Sequence, residues 1–195
     1  MVKYSTDVDI DFADREHILK LVRHTPAMQV NDGRVRRHNS GVYVTDIPYN
    51  PLTATASIDY QEAEDRGYFK IDFLNVNVYK LIRDQQHYDD LMSGPTPWHR
   101  LKDRSFFERV IHIGNHYDLV RTLEIDSIPR MAMFLALIRP AKRHLVGKTW
   151  TEISRDIWTQ HQDEYAFKKS HAVSYAVLAT LHMKLLDEDL DTQGQ

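Results

Sequence analysis

From Asp7 to Phe12, polar and apolar residues alternate with the period of a β-strand. Val8, Ile10 and Phe12 share one face, and Asp7, Asp9 and Asp11 share the other. The period then lengthens. Over 13–24, Ile18, Leu19, Leu21 and Val22 form the apolar stripe of an amphipathic helix, which Thr25-Pro26 ends. The stretch 27–40 is polar, with a basic cluster at Arg34, Arg36, Arg37 and His38. Gly41 to Thr45 is β-branched and aromatic, as strands are. Pro48 and Pro51 mark a turn, and 53–60 suits another strand. Tyr68 to Leu74 alternates again, with Phe69, Ile71 and Phe73 on one face and Lys70 and Asp72 on the opposite one. A helix is predicted over 75–92.

SGPTPW, Ser93 to Trp98, is the clearest loop and the best boundary. Beyond it the strand signals stop. Helices are predicted over 105–125 (broken near Gly114-Asn115), 128–139 (stopped by Pro140), 150–162 and 172–186. The acidic tail after Asp187 is expected to fray. The pattern is α+β. A small mixed β-sheet packed with helices occupies 1–92, a loop 93–104, an all-helical part 105–187, and a tail 188–195.

Composition narrows the chemistry. The 195 residues, 42% of them hydrophobic, suit one compact domain or a core with a modest second lobe. Cysteine is absent, which removes disulfides, thiolate zinc sites and cysteine nucleophiles. Seven glycines leave no Gly-rich phosphate loop. The longest apolar run, Met131 to Ile138, falls short of the roughly 20 residues of a membrane span. A soluble, cytoplasmic protein with no membrane partner is therefore expected. The net charge of −3 gives no global case for nucleic-acid binding, so any such contact must come from local basic patches.

The aspartates carry the argument. Three like charges at period two repel one another, so their face must be solvated or hold cations. Magnesium takes hard oxygen ligands, and a second strand bringing Asp72 alongside would complete a carboxylate cage. Two ions in such a cage can activate a 3′-hydroxyl and stabilise a pyrophosphate leaving group. The same DxDxD run also suits a plain solvated strand face or a calcium site. The reading requires these carboxylates to converge; side chains that point apart, or one of them plugged by an internal cation, would reduce it to kinship without chemistry. His112 and His116 have i, i+4 spacing, but no third ligand is evident and Gly114-Asn115 interrupts the helix, so capping or surface roles fit better. Trp98, Trp150 and Trp158 could stack bases but fit buried packing better, and Met131 to Ile138 reads as core.

TDVDIDFADRE, Thr6 to Glu16, resembles the PDxDxDF motif of the catalytic alpha subunit of bacterial DNA polymerase III, the C-family polymerases. HNSGVYVTD (His38 to Asp46) is similar to that family's HAGGVVI segment, and GYFKIDFLNV (Gly67 to Val76) to its G-hydrophobic-VKFDFLGL strand. ALIRPAK (Ala136 to Lys142) resembles its AL-hydrophobic-RPGP element, and FKKSHAVSYAVLA (Phe167 to Ala179) its FNKSHAVAYALIA helix. The five matches run in the family's order and cover about a third of the chain.

The resemblance implies a palm of the polymerase-beta-like nucleotidyltransferase type followed by partial fingers. It implies that Asp7, Asp9 and Asp72 are catalytic and hold two Mg²⁺ (or Mn²⁺), with Asp11 as a further, less essential metal residue. It implies nucleotide-binding roles for Lys70, Arg139, Lys169, Ser170 and His171. The basic candidates for DNA phosphate contacts are Arg34, Arg36, Arg37, Lys142, Arg143 and Lys168, although a basic run is more often a solvated face than a DNA track. The implied substrates are dNTP and a DNA primer-template, and other replication or assembly proteins are possible partners. Because the matches begin at the aspartate strand, the expectation is a miniature. It would lack the family's PHP, clamp-binding and OB regions and have a shortened thumb. The alternative is a catalytically inactive palm derivative serving as a binding or structural module in a phage-type assembly.

Overall fold

The computed structural model describes residues 8–114, 116–159 and 167–193. The chain divides into two compact units, Met1–Ile82 and Arg83–Gln195, a division that falls ahead of the Ser93–Trp98 loop. The class is α+β, with a small mixed sheet in the first unit and helices in the second.

In the first unit, β1 (Val8–Phe12) is followed by α1 (Arg15–Leu21), β2 (Thr25–Asn31) and β3 (Arg34–Tyr43). Then come β4 (Tyr49–Asn50), β5 (Thr55–Ala56), α2 (Tyr60–Asp65) and β6 (Ile71–Asn75). The sheet order is β1-β6-β3-β2. β1 and β6 are parallel, while β3 runs antiparallel to both β6 and β2. One face buries Leu19, Val42 and Phe73, with Phe12, Ile18 and Ile71 against them; Phe12 and Phe73 meet edge to face at 5.0 Å. These are the alternate residues that the strand period assigns to one side. The α1 helix covers this side. Its N-cap Asp14 accepts from the Glu16 and His17 amides, satisfying two donors the first turn leaves open.

The opposite face carries α2. Asp59 fixes it there: one carboxylate oxygen caps α2 through the Gln61 amide, and the other accepts from Val30 N–H of β2 at 2.9 Å. Beneath it Ala27, Tyr43, Ile47, Ala56 and Ala63 are buried, with Tyr60 and Tyr68 packed on them.

The stretch 27–40, to which the polar pattern assigns no element, is most of a β-hairpin. Asp32 and Gly33 both have positive φ, 50° and 72°, the backbone of a type I′ turn. The Asp-Gly pair was a legible hairpin signal.

The second unit contains α3 (Gln85–Ser93), α4 (Arg104–Phe107), α5 (Tyr117–Leu123), α6 (Ile128–Leu137), α7 (Trp150–Asp156) and α8 (Lys169–Gln193). Met131, Phe134, Leu135 and Leu137 of α6 pack against Ala172, Ala176, Ala179 and Met183 of α8 in one core. The apolar run therefore lies in the core, as its pattern predicts. The helices predicted over 75–92 and 105–125 are each broken into shorter pieces. As far as Gln193 the tail is helix rather than frayed chain. Asp187 accepts from Arg100 at 2.7 Å, and Glu188 binds Arg83 at 2.9 Å and His87 at 2.8 Å.

Two lysines are interior. Lys184 donates to the Leu91, Met92 and Gly94 carbonyls at the end of α3, and burial lowers its pKa. Lys142 is 5% exposed and donates to the Asp156 and Thr159 carbonyls, 2.7 Å each, at the end of α7. Both close the open carbonyls of a helix C-terminus.

Candidate metal and nucleotide site

The parallel register sets Asp9 directly beside Asp72. Side chains at paired positions of a parallel ladder lie on one face, with strands about 4.8 Å apart. Asp9 is exposed, and Asp72 is buried at the base. Asp11, two residues further along β1, is on the same face. Its pKa is raised by burial and by the Asp9 charge, against a hydrogen bond from Tyr79. Asp7 lies outside the described residues. Among the described residues no three His, Asp or Glu groups gather as a metal cluster.

Asp72 is not bare. Lys70 forms an ion pair with its Oδ2, the two side chains being 11% and 10% exposed. The Ser40 hydroxyl donates to its Oδ1 at 2.6 Å. Lys70 is thus an internal cation seated on the carboxylate two residues further on, the arrangement named above as adverse to metal chemistry, where the resemblance implies a lysine that meets the triphosphate. A carboxylate has about four lone-pair directions, so two donors leave acceptor capacity. Two carboxylates in adjacent register, one of them open to solvent, fit the hard-oxygen preference of Mg²⁺ or Mn²⁺.

Ser40 reaches Asp72 because β3 bulges. Between the pairs Pro26–Val42 and Met28–Arg37, the single residue Ala27 of β2 faces His38, Asn39, Ser40 and Gly41 of β3. Such bulges re-aim side chains. This one is capped by its own histidine: His38 Nδ1 accepts from Ser40 N–H at 3.3 Å and from Gly41 N–H at 2.9 Å. Accepting two amides requires an unprotonated Nδ1. The 3.7 Å approach of that nitrogen to Asp72 is therefore no ion pair at neutral pH. Burial first, then Lys70, lowers the His38 pKa, in agreement.

Arg15, which sequence reasoning passed over, belongs to the site. It opens α1, its Nη2 donates to the Ser40 carbonyl at 3.3 Å, and its side chain is 13% exposed. Tyr43 lies beneath α2, 1% exposed. Burial, followed by Asp59, Asp72 and Glu64, pushes its hydroxyl up to about 12, so it stays protonated.

No family model matches this chain, and no curated protein matches it.

Arg34, Arg36 and Arg37 are exposed on the part of the β2–β3 ribbon that extends past β6. Arg143 and Lys168 are exposed in the second unit. Lys142 is corrected: it is buried in a helix-capping role and is not presented to DNA. In the second unit Arg139 lies over the Phe167 ring at 4.6 Å, and His171 packs on the same ring at 6.3 Å. Lys169, at the start of α8, lies over Trp158 at 5.8 Å, and Ser170 is exposed beside it. The structure thus gathers Arg139 and His171 around one aromatic ring. His112 and His116 do not pair. His112 has φ 69° and stacks on Tyr175 at 4.5 Å, while His116 precedes α5 as its N-cap. No helix among the described residues is long and apolar enough to cross a membrane.

Three histidines give a pH prediction. Burial lowers the pKa of His38, His112 and His182 below the usual 6.5. His182 Nδ1 accepts from Ile111 N–H at 3.0 Å, and His38 caps the bulge, so protonation would break both contacts. Below about pH 6.5 the unfolded chain binds more protons at these sites, so stability falls as pH falls from there toward the folded values. Urea unfolding is expected to shift to a lower midpoint at about pH 5.5 than at about pH 7.5. His182→Gln, whose amide oxygen can still accept from Ile111, should flatten part of that slope. An unchanged midpoint across the range would contradict it.

Proposed function

We propose that this chain is a minimal nucleotidyltransferase of the DNA-polymerase type, adding a nucleotide to a DNA 3′ end with two Mg²⁺ or Mn²⁺. The observation that carries the reading is the side-by-side register of Asp9 and Asp72, with Lys70 two residues before the latter. The mixed sheet backed by helices supports a polymerase-beta-like palm. When bound, the metal would supply charge neutralisation for the triphosphate and a more acidic 3′-hydroxyl.

The chain's own residues do the rest. Asp9 and Asp72 hold the cations, with Asp7 as a third ligand and Asp11 adding negative field. Lys70 binds triphosphate oxygens as a point charge. Arg34, Arg36 and Arg37 of the first unit hold DNA phosphates; in the second unit, taken by itself, Arg139, Lys169, Ser170 and His171 remain the nucleotide-binding candidates, and Arg143 and Lys168 the DNA-binding ones, that the resemblance and the basic patches suggest. Phosphate contacts of this kind make binding fall steeply with salt.

The test is primer extension by the purified chain with primed DNA, dNTPs and Mg²⁺ or Mn²⁺. Metal-dependent addition that Asp9→Ala abolishes is expected. No addition by the wild type, or equal addition by Asp9→Ala, refutes the reading.

One observation favours a second reading, an inactive palm derivative acting as a binding or structural module. Both oxygens of Asp72 are engaged by internal donors, Lys70 and Ser40. A protein of this kind would show no Mg²⁺-dependent dNTP binding in calorimetry and would retain a stable protein partner. Saturable binding lost in Asp72→Ala would exclude it.

A further inference from the structure

Two different groups occupy the Asp72 carboxylate, and they differ in how tightly the fold holds them. Ser40 is fixed at both ends of its backbone. Its N–H goes to His38 Nδ1 and its carbonyl to Arg15 Nη2. Its hydroxyl swings on a single torsion, so it has few ways to leave Oδ1. Lys70 arrives on a flexible four-carbon stem that crosses Gly41, where a missing side chain leaves it room: a β-carbon there would lie 2.9 Å from Lys70 Cδ.

We infer that Ser40, held by Arg15, is a positioning residue for Asp72. It keeps Oδ1 oriented while Lys70 is the group that yields when a divalent cation reaches Oδ2. This rests on the proposed metal site and adds its working order. The cation and the lysine exchange on one oxygen, and the released ammonium becomes available to the triphosphate that arrives with the metal. Binding of metal and nucleotide is then coupled through Lys70. The same exchange explains how a carboxylate that is neutralised at rest can still serve as a ligand. A lysine partner avoids the cost of a buried, uncompensated carboxylate. A rigid serine preserves the orientation that the ligand needs. Partners of this kind behind a metal ligand are worth roughly 10- to 100-fold in metal affinity.

The experiment uses the full chain and Mn²⁺ alone. Mn²⁺ affinity is measured by calorimetry, and acetylation of Lys70 is followed by peptide mass mapping with and without Mn²⁺. In the wild type, Mn²⁺ is expected to raise the rate of Lys70 acetylation several-fold. Ser40→Ala should weaken Mn²⁺ binding roughly 10-fold or more, and Ser40→Thr, which keeps the hydroxyl, should bind as the wild type does. Lys70→Met should bind Mn²⁺ more tightly, a sign that loss of structure would not produce.

If the wild type binds Mn²⁺ and Ser40→Ala binds equally well, this inference alone falls. If the wild type takes up Mn²⁺ while Lys70 acetylation stays unchanged, the exchange is refuted, whether or not Ser40→Ala folds. If the wild type binds no Mn²⁺ and Lys70 does not respond, the metal-site reading fails and takes this one with it.

Discussion

Asp72→Ala is expected to reduce Mg²⁺-dependent nucleotide addition on the order of a thousandfold, and separately to cost about 3 kcal/mol of stability. The two losses have different origins. On the proposed reading, the catalytic loss follows from removing one of the two neighbouring carboxylates that the β1–β6 register brings together. The stability loss follows from Lys70, which is only 11% exposed and would lose the carboxylate it pairs with. Breaking such a pair from one side is costlier than removing both members, because the remaining charge stays in a poorly solvated place. The double variant Asp72→Ala/Lys70→Met separates them. It should recover most of the stability while staying as inactive as the single variant. Extension assays and urea unfolding on the three proteins read both effects. A double variant no more stable than Asp72→Ala would show that the ion pair does not hold this part of the sheet. Activity surviving in Asp72→Ala would remove the carboxylate from the chemistry.

The periodicities that place Asp9 and Asp72 on strand faces are visible in the chain. The register that sets them side by side is not, because strand pairing depends on contacts distant in sequence. Arg34 to Arg37 read as a solvated basic stretch, and their charge masked the Asp32-Gly33 turn that makes them one strand of a hairpin. The bulge at His38 to Gly41 has no periodic signature: four residues face one, and only the folded partner strand reveals it. Charge patterning misled at the interior lysines. Lys142 and Lys184 look like surface residues, yet each closes the carbonyl end of a helix that packs only in the folded chain. The acidic tail likewise read as frayed, because Arg83, His87 and Arg100, which bind Asp187 and Glu188, lie about a hundred positions away in sequence.

Gly41→Ala should destabilise the first unit by about 1–3 kcal/mol, the usual cost of inserting a methyl group into a closed space. The reason is space and not backbone torsion. Gly41 pairs with Asp72 across β3 and β6, so its β-carbon would enter the crowded face of the sheet. It would meet His38 Nδ1 and Lys70 Cδ at 2.9 Å and Ala27 Cβ at 3.1 Å. The lysine stem can bend away, but doing so draws its ammonium off Asp72. The imidazole cannot easily move, because it accepts two backbone amides of the bulge. Ala27 is fully buried and has nowhere to go. The clash with His38 therefore accounts for most of the cost, and a double-mutant cycle can isolate it. In a His38→Ala background, which removes the ring, Gly41→Ala should cost markedly less than it does in the wild type, as read by urea unfolding. An equal cost in both backgrounds would mean that the glycine is not there to let the histidine cap the bulge. The geometry that brings Ser40 onto Asp72 would then need a different cause.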